Sequence, residues 1–188
     1  MRRVNTEIKT PDGCSDAEIA AFCCFVCQGG AVEKRGLEGR VRQAKALAFL
    51  YVGDTLVGVA ALKQPLPRYR DDVFKKATAS QCATLFNLEL GWVYILPEHR
   101  GKHYSEVLSA AAKSQSDNTP IFATTRLDNK PMQNTLERLG FKKIGDTYDS
   151  KCRDSTGSKY KLLLYVTSAG GWPTSAPPIE SWWSTSRL

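Results

Sequence analysis

The chain has 188 residues, of which 42% are hydrophobic and 24% are charged, proportions typical of a globular protein with one domain of ordinary size. No apolar stretch is long enough to cross a membrane, and no apolar run follows the basic residues at the start, so we expect neither a membrane partner nor a signal peptide. The net charge of +7 suits an anionic ligand such as a nucleotide cofactor, and equally a nucleic acid or a solvated basic surface.

The six cysteines, in a chain without a predicted secretory signal, are expected to be reduced thiols of a cytoplasmic protein. Cys23 and Cys27 would lie one helical turn apart, and no second cysteine or histidine pair completes a zinc site. Ile19, Phe22, Cys23 and Val26 have the spacing of a buried helix face. We therefore predict packed thiols and no metal site.

Hydrophobic periodicity and turn residues predict an α+β chain. Ser15 can cap the first helix, Gly53-Asp54 can form a hairpin turn, and Pro97 ends the longest strand candidate. In chain order we predict a helix over 15–29, a loop with a short helix over 31–44, strands over 46–52 and 55–62, a helix over 69–77, a strand over 86–96, a helix over 102–114, a strand over 121–125, a helix that Pro131 opens and Gly140 ends, and strands over 141–148 and 159–167.

Residues 168–188 differ in composition from the rest of the chain. They hold three prolines, five serines and the tryptophans Trp172, Trp182 and Trp183, with no periodic apolar pattern. We predict a single domain over residues 1–167 and a tail over 168–188 without a core of its own.

Two short segments carry the functional signal. Arg100-Gly101-Lys102 follows the longest predicted strand and opens a helix, and Leu139-Gly140-Phe141 closes a later helix. Together they resemble the cofactor-binding half of the GNAT acyltransferases, which transfer an acyl group from a coenzyme A thioester. The resemblance implies an α+β fold with a mixed, mostly antiparallel central sheet flanked by helices. It also implies a first strand near residues 4–9 and a sheet that splays at the two strands next to the cofactor.

The turn before the helix has the chemistry that a pyrophosphate requires. A helix N-terminus offers free N–H groups and positive potential, Gly101 lets the backbone come close, and Arg100 and Lys102 add charge. Arg100 matches the family pattern, whereas its two glycine positions fall on His103 and Ser105. The resemblance implies that acetyl-CoA is bound by Tyr94, Ile95, Arg100, Gly101, Lys102, His103, Tyr104, Ser105 and Asn129.

The resemblance also implies catalytic roles. Glu89, on the longest strand, is our candidate for the general base that deprotonates an acceptor amine; the alternative is a structural glutamate paired with an arginine. Gly91-Trp92 is a plausible bulge that would aim a main-chain N–H at the thioester carbonyl. Leu136 occupies the position of the family's usual tyrosine acid. Tyr104 is therefore our candidate acid, with Tyr94, Tyr148 and His103 as alternatives.

The acceptor side is predicted to be basic, which favours an acidic or phosphate-bearing acceptor amine. The residues concerned are Arg35, Arg40, Arg42, Arg68, Arg70, Lys75 and Lys76. The leading hypothesis is an acetyl-CoA-dependent N-acyltransferase. One alternative is an enzyme of the same fold that modifies a DNA or RNA base or aminoacyl-tRNA. Another is a non-catalytic module that binds coenzyme A or a partner. The acyl length, the acceptor and the oligomeric state stay open.

Overall fold

The computed structural model describes residues 3–30, 32–153 and 156–167. Within these ranges one sheet of seven strands is flanked by five α-helices. The strands are β1 (Val4–Lys9), β2 (Ala46–Val52), β3 (Thr55–Lys63), β4 (Leu88–Ile95), β5 (Ile121–Arg126), β6 (Phe141–Arg153) and β7 (Lys159–Thr167). The helices are α1 (Asp16–Gln28), α2 (Leu37–Arg42), α3 (Pro67–Lys76), α4 (Tyr104–Lys113) and α5 (Lys130–Arg138).

The strand order is β1-β2-β3-β4-β5-β7-β6, and every neighbouring pair is antiparallel except β4 with β5. The parallel pair is joined only from Leu88 opposite Ile121 to Leu90 opposite Ala123. Beyond that point the two strands separate, and the sheet opens. The predicted fold class, including the splay at this position, is confirmed.

The two faces of the sheet pack against different helices, because neighbouring strand residues point to opposite faces. Leu88 and Leu90 of β4 pack with Leu108 of α4 and Leu136 of α5. On the opposite face of the sheet, side chains of β2 and β3 pack against α1 and α2. On the same face, side chains of β5 and β7 pack against α3. Glu89, between Leu88 and Leu90, therefore faces the side that carries α1 and α3.

Helix α1 begins as the sequence predicts. Ser15 and Glu18 form a reciprocal capping box, which satisfies two otherwise free N–H groups. Lys9 of β1 lies 2.5 Å from Glu18, and this hydrogen bond and those from Ser15 lower the Glu18 pKa to about 2. Ile19 and Phe22 are buried as predicted.

Several predicted boundaries shift for identifiable reasons. Helix α3 begins at Pro67, two residues earlier than predicted, because proline suits the first turn of a helix. Strand β4 begins at Leu88 because a 3₁₀ helix occupies Ser80–Leu85. Helix α4 begins at Tyr104 rather than at residue 102. Strand β6 continues to Arg153, five residues beyond its predicted end.

Within the described ranges, no group of three or more histidine, cysteine and acidic residues could hold a metal ion. No helix in the described part of the chain is long and apolar enough to span a bilayer. The predicted tail over 168–188 lies outside the described residues, so the domain boundary stays a prediction.

Candidate active site

A cleft of about 1000 Å³ follows the opening between β4 and β5. One end, the turn end, is lined by Arg100, Gly101 and His103 of the turn before α4, by Tyr104 and Ser105 at the start of α4, and by Asn129. The other, the carboxylate end, is lined by Lys63 of β3, Tyr69 of α3, Glu89 of β4 and Tyr148 of β6. A single cleft therefore joins the Arg100-Gly101 turn to side chains from β3, α3, β4 and β6, whereas Leu139, Gly140 and Phe141 do not line it.

The turn end is built from main-chain N–H groups. Those of Gly101, Lys102 and His103 donate to no main-chain acceptor among the described residues, and the first turn of α4 adds N–H groups that lack intrahelical acceptors. Gly101 has φ +77°, a left-handed conformation that glycine adopts without strain. This concentration of free donors at a helix N-terminus fits a diphosphate.

His103 adopts the left-handed conformation that a glycine would provide at the same position. Its φ is +58°, which strains a residue with a Cβ by about 1–2 kcal/mol. The imidazole Nδ1 lies 3.0 Å from Nη1 of Arg138 and 3.5 Å from a carboxylate oxygen of Glu106. The side chain is thus held by α4 and α5, so that its main-chain N–H can serve the turn.

Two predicted cofactor residues make structural contacts around the turn. Arg100 donates from Nε to the carbonyl oxygen of Ile95 and lies over the ring of Tyr94. The Tyr94 hydroxyl donates to Gln28 of α1. Lys102, by contrast, is exposed and lies outside the cleft lining, so its position does not support the predicted contact.

Ser105 and Asn129 line the cleft and also join secondary-structure elements. The Ser105 hydroxyl lies 3.2 Å from that of Thr135 in α5. Asn129 accepts the main-chain N–H of Met132 and so caps α5. Both residues therefore position α5 against the turn.

The predicted bulge is present in β4. Gly91 pairs with Ala61 and Tyr94 with Val59, so that Trp92 and Val93 together oppose one residue of β3. Trp92 has φ +52°, and its ring packs edge-on against Phe22 of α1. The bulge interrupts the β3–β4 ladder beside the cleft and frees main-chain groups at this point.

Glu89 forms the floor of the carboxylate end. The residue is only 2% exposed; its Oε2 lies 2.7 Å from Nζ of Lys63, and its Oε1 accepts a hydrogen bond of 3.3 Å from the Tyr69 hydroxyl. The alternative prediction, that Glu89 pairs with an arginine, is therefore wrong, because its ion-pair partner is Lys63. The ion pair stands inside the cleft, where a ligand could reach it.

The ammonium group of Lys63 is surrounded on several sides. Besides the Glu89 carboxylate, it lies 4.9 Å from the centre of the Trp92 ring and 5.8 Å from that of Tyr69. Aromatic faces and a carboxylate are the groups that stabilise an alkylammonium ion away from water. The carboxylate end thus holds an amine of the protein itself.

Two tyrosine hydroxyls complete the carboxylate end. Tyr148 is buried, and its Oη has no hydrogen-bond partner among the described residues; burial and then the charges of Glu89 and Asp72 raise its pKa. Tyr69 is exposed along its ring, but burial of its hydroxyl and then the Glu89 charge raise its pKa well above the usual value. Both hydroxyls are neutral donors at physiological pH.

Other catalytic candidates have different surroundings. Leu136 is fully buried in the core beneath α4, where the apolar packing accounts for a leucine. Tyr104 lines the cleft and packs partly against the same core. His99 is half-buried in the cleft wall, and its Nδ1 has no partner within the described ranges.

The expected basic acceptor side is not found in the cleft. Of the seven basic residues predicted there, only Arg40 and Lys76 line it. Arg40 donates to the carbonyl oxygens of Glu33 and Arg35, and Lys76 is paired with Asp72 at 2.9 Å. The carboxylate end has mixed charge, which removes the premise on which an acidic or phosphate-bearing acceptor was expected.

Sequence reasoning missed Lys63 and Tyr69. Lys63 stands one residue beyond the predicted strand end, and Tyr69 begins a segment that had only a helical pattern. The extension of β3 by one residue and the earlier start of α3 bring both side chains to Glu89. If the predicted strand had been extended to residue 63, the alternation of side chains would have placed Lys63 on the same face of the sheet as Ala61.

The model of the acetyltransferase (GNAT) family matches residues 17–141, while no curated protein sequence matches the chain. Among solved structures, Escherichia coli ElaA has a TM-score of 0.62 at 15% identity, covering 88% of this chain and 100% of its own. The structure of yncA of Salmonella typhimurium, solved with its cofactor acetyl-CoA, has a TM-score of 0.63 at 15% identity and covers 93% of this chain and 99% of its own. Arabidopsis thaliana NAA60, in complex with a bisubstrate analogue, has a TM-score of 0.62 at 10% identity and covers 86% of this chain and 97% of its own.

Proposed function

Because the chain belongs to the GNAT acetyltransferase family, we propose that it transfers an acetyl group from acetyl-CoA to an acceptor amine, with Glu89 as general base. The observation that carries this proposal is the buried carboxylate of Glu89, which lines the cleft one residue before β4 and β5 separate. The family uses acetyl-CoA as the acyl donor, and the chain is an acyltransferase. The residues that act on each substrate are our assignment.

The turn end fits the donor. Free N–H groups at residues 101–103 and at the start of α4 suit the pyrophosphate of coenzyme A, and Arg100 adds a positive charge beside them. Asn129 and Tyr94 stand along the opening where β4 and β5 part. When bound, acetyl-CoA would supply the acetyl group as an activated thioester.

Glu89 removes the proton that an attacking amine must lose. Alkylamines are mostly protonated near neutral pH, so the acceptor nitrogen must lose a proton before it attacks, and a carboxylate beside it can accept that proton. The Tyr69 hydroxyl donates to Glu89 and fixes its orientation. The bulge at Trp92 provides main-chain N–H groups for the oxygen that becomes negative in the tetrahedral intermediate.

Protonation of the departing sulfur is assigned to a tyrosine of the cleft. Tyr104 is retained from the sequence prediction because it lines the cleft beside the turn. Tyr148 is the alternative, since its buried hydroxyl has no partner within the described ranges and a raised pKa keeps it protonated. A thiol is in any case a fair leaving group, so we expect this step to depend on either tyrosine less than proton removal depends on Glu89.

Exchange of Glu89 for glutamine tests the proposal. With acetyl-CoA and a panel of primary amines, we expect Glu89→Gln to lower kcat/KM by about 10²- to 10⁴-fold. Acetyl-CoA affinity by calorimetry should be unchanged, because the turn end is intact. Released coenzyme A should be measured by chromatography, since the six cysteines would react with a thiol reagent.

Glu137→Gln is the matched control. Glu137 also accepts a hydrogen bond from a tyrosine hydroxyl, that of Tyr165, but it does not line the cleft. We expect this variant to have wild-type turnover. Full activity of Glu89→Gln on every accepted amine would refute the base assignment, and absence of acetyl-CoA binding to the wild type would refute the proposed function.

A further inference from the structure

Lys63 is the one lysine of the described chain whose ammonium contacts Glu89. Its side chain is 15% exposed and that of Glu89 is 3% exposed, so the pair lies inside the cleft wall. Lys63 also reaches across Gly91, where a Cβ would lie 2.9 Å from its Cε. The glycine therefore leaves the space through which the lysine extends toward the bulge.

The position of this amine matches the requirement for an acceptor. If Glu89 takes the proton from an acceptor nitrogen, then that nitrogen must come within hydrogen-bond distance of the carboxylate and face the thioester. Lys63 Nζ already meets the first condition, at 2.7 Å from Oε2. It meets the second in part, because it stands over the Trp92 ring, at the bulge that borders the opening.

We propose that Lys63 is a self-acetylation site: the enzyme acetylates this lysine from its own bound acetyl-CoA. The inference rests on the proposed function, since it requires both acetyl-CoA in the cleft and Glu89 as the base. It goes further because it assigns a resident acceptor to the site. Acetylation removes the positive charge of Lys63 and breaks its ion pair with Glu89.

The step is balanced within the cleft. Glu89 takes one proton from the Lys63 ammonium, and the free amine forms a bond to the carbonyl carbon of the acetyl group. The carbon–sulfur bond then breaks, and the electron pair leaves on sulfur. The second nitrogen proton is lost to the surroundings, while the sulfur gains a proton and leaves as the thiol of coenzyme A. The products are acetyl-lysine and free coenzyme A.

The test compares Lys63 with Lys45 in the wild-type protein. Lys45 is also paired with a carboxylate, Asp117, but lies outside the cleft lining. After incubation with acetyl-CoA, peptide mass spectrometry should find Lys63 acetylated more than about tenfold faster than Lys45, because the reaction is intramolecular. The rate should not depend on protein concentration.

A small acetylating reagent that bypasses the cofactor site supplies the second measurement. Toward N-hydroxysuccinimidyl acetate, Lys63 should react no faster than Lys45, since it is more buried. A preference for Lys63 with this reagent as well would overturn the proposal, because it would reveal an intrinsically reactive lysine rather than catalysis.

Two variants separate the outcomes. Glu89→Gln should lose Lys63 acetylation while it still binds acetyl-CoA, and Lys63→Arg should keep a cation beside Glu89 but remain unmodified at this position. Acetylation of Lys63 in Glu89→Gln at the wild-type rate would overturn the inference. If free amines are acetylated but Lys63 is not, then the inference fails and the proposed function stands. If acetyl-CoA does not bind, both fail.

Discussion

The two ends of the cleft are built in different ways. The turn end consists mainly of one short stretch, from Arg100 to Ser105, and its chemistry lies in main-chain N–H groups and a left-handed turn. The carboxylate end is assembled from side chains of β3, α3, β4 and β6, which are up to 85 residues apart, from Lys63 to Tyr148. A backbone site depends on local conformation, whereas a side-chain site depends on how distant elements pack.

The difference explains which substitutions each end accepts. At the turn, His103 replaces a family glycine and still takes the required left-handed conformation, because its side chain is held by Arg138 and Glu106. At the carboxylate end, Glu89 has direct contacts with Lys63 and Tyr69. Replacing any one of these side chains alters the surroundings of the other two.

The comparison predicts that strain at the turn weakens donor binding without affecting the carboxylate end. Gly101 has φ +77°, and a Cβ there meets no atom within 4 Å. Gly101→Ala should therefore act through conformation alone. Strain of about 1–2 kcal/mol corresponds to a loss of about 5- to 30-fold in acetyl-CoA affinity, measured by calorimetry.

Gly53→Ala is the control for this strain. Gly53 has φ +61° in the β2–β3 turn, and a Cβ there also meets no atom within 4 Å. Gly53→Ala should lose unfolding free energy, because its turn is strained in the folded state, whereas Gly101→Ala should lose less, because its turn can relax until acetyl-CoA binds. Only Gly101→Ala should bind acetyl-CoA more weakly. Equal acetyl-CoA affinities for the two variants would contradict a donor site at the turn.

A smaller effect is expected from Tyr148→Phe. Its hydroxyl is buried without a hydrogen-bond partner in the described part of the chain, so removing it should leave the stability unchanged or slightly higher. A hydrogen bond to substrate would be lost, at about 0.5–1.5 kcal/mol, which lowers kcat/KM by about 2- to 10-fold. Tyr51→Phe, outside the cleft lining, should leave turnover unchanged.

If Tyr148→Phe is destabilised and turns over at the wild-type rate, the hydroxyl has a structural role and the carboxylate end is smaller than we describe. Unfolding in denaturant and steady-state kinetics on the same preparation distinguish the two results.

The smallest effect concerns stability at alkaline pH. The pKa of Tyr148 is raised in the folded state by burial and by Glu89 and Asp72, above the ordinary value of about 10. Its contribution to stability is therefore complete below about pH 10 and is lost as the pH rises, because the unfolded state releases the proton first. Tyr148→Phe should lose less stability than the wild type between neutral pH and about pH 11. An identical loss in denaturant titrations would contradict the burial of this hydroxyl.

Much of the fold was predicted from local patterns. The β2–β3 hairpin, the Ser15 cap of α1 and the bulge at Gly91-Trp92 all depend on residues that are neighbours in the chain or in one ladder. The predicted boundaries were wrong where tertiary packing determines the local conformation, as at the C-terminal end of β6. The basic acceptor side failed for a related reason, because composition does not show which charges are paired.

The sequence by itself identified the family and, through it, the acetyl-CoA donor, because the motif residues and their order along the chain are local properties. The assignment of the turn before α4 to the donor stays a prediction. The sequence also proposed Glu89 from its place on the strand. Only the tertiary structure decided that Lys63 and Tyr69 contact this carboxylate and that Tyr148 is buried beside the same cleft. Such contacts arise when β3, α3, β4 and β6 pack around one opening, and no spacing within the chain encodes that meeting.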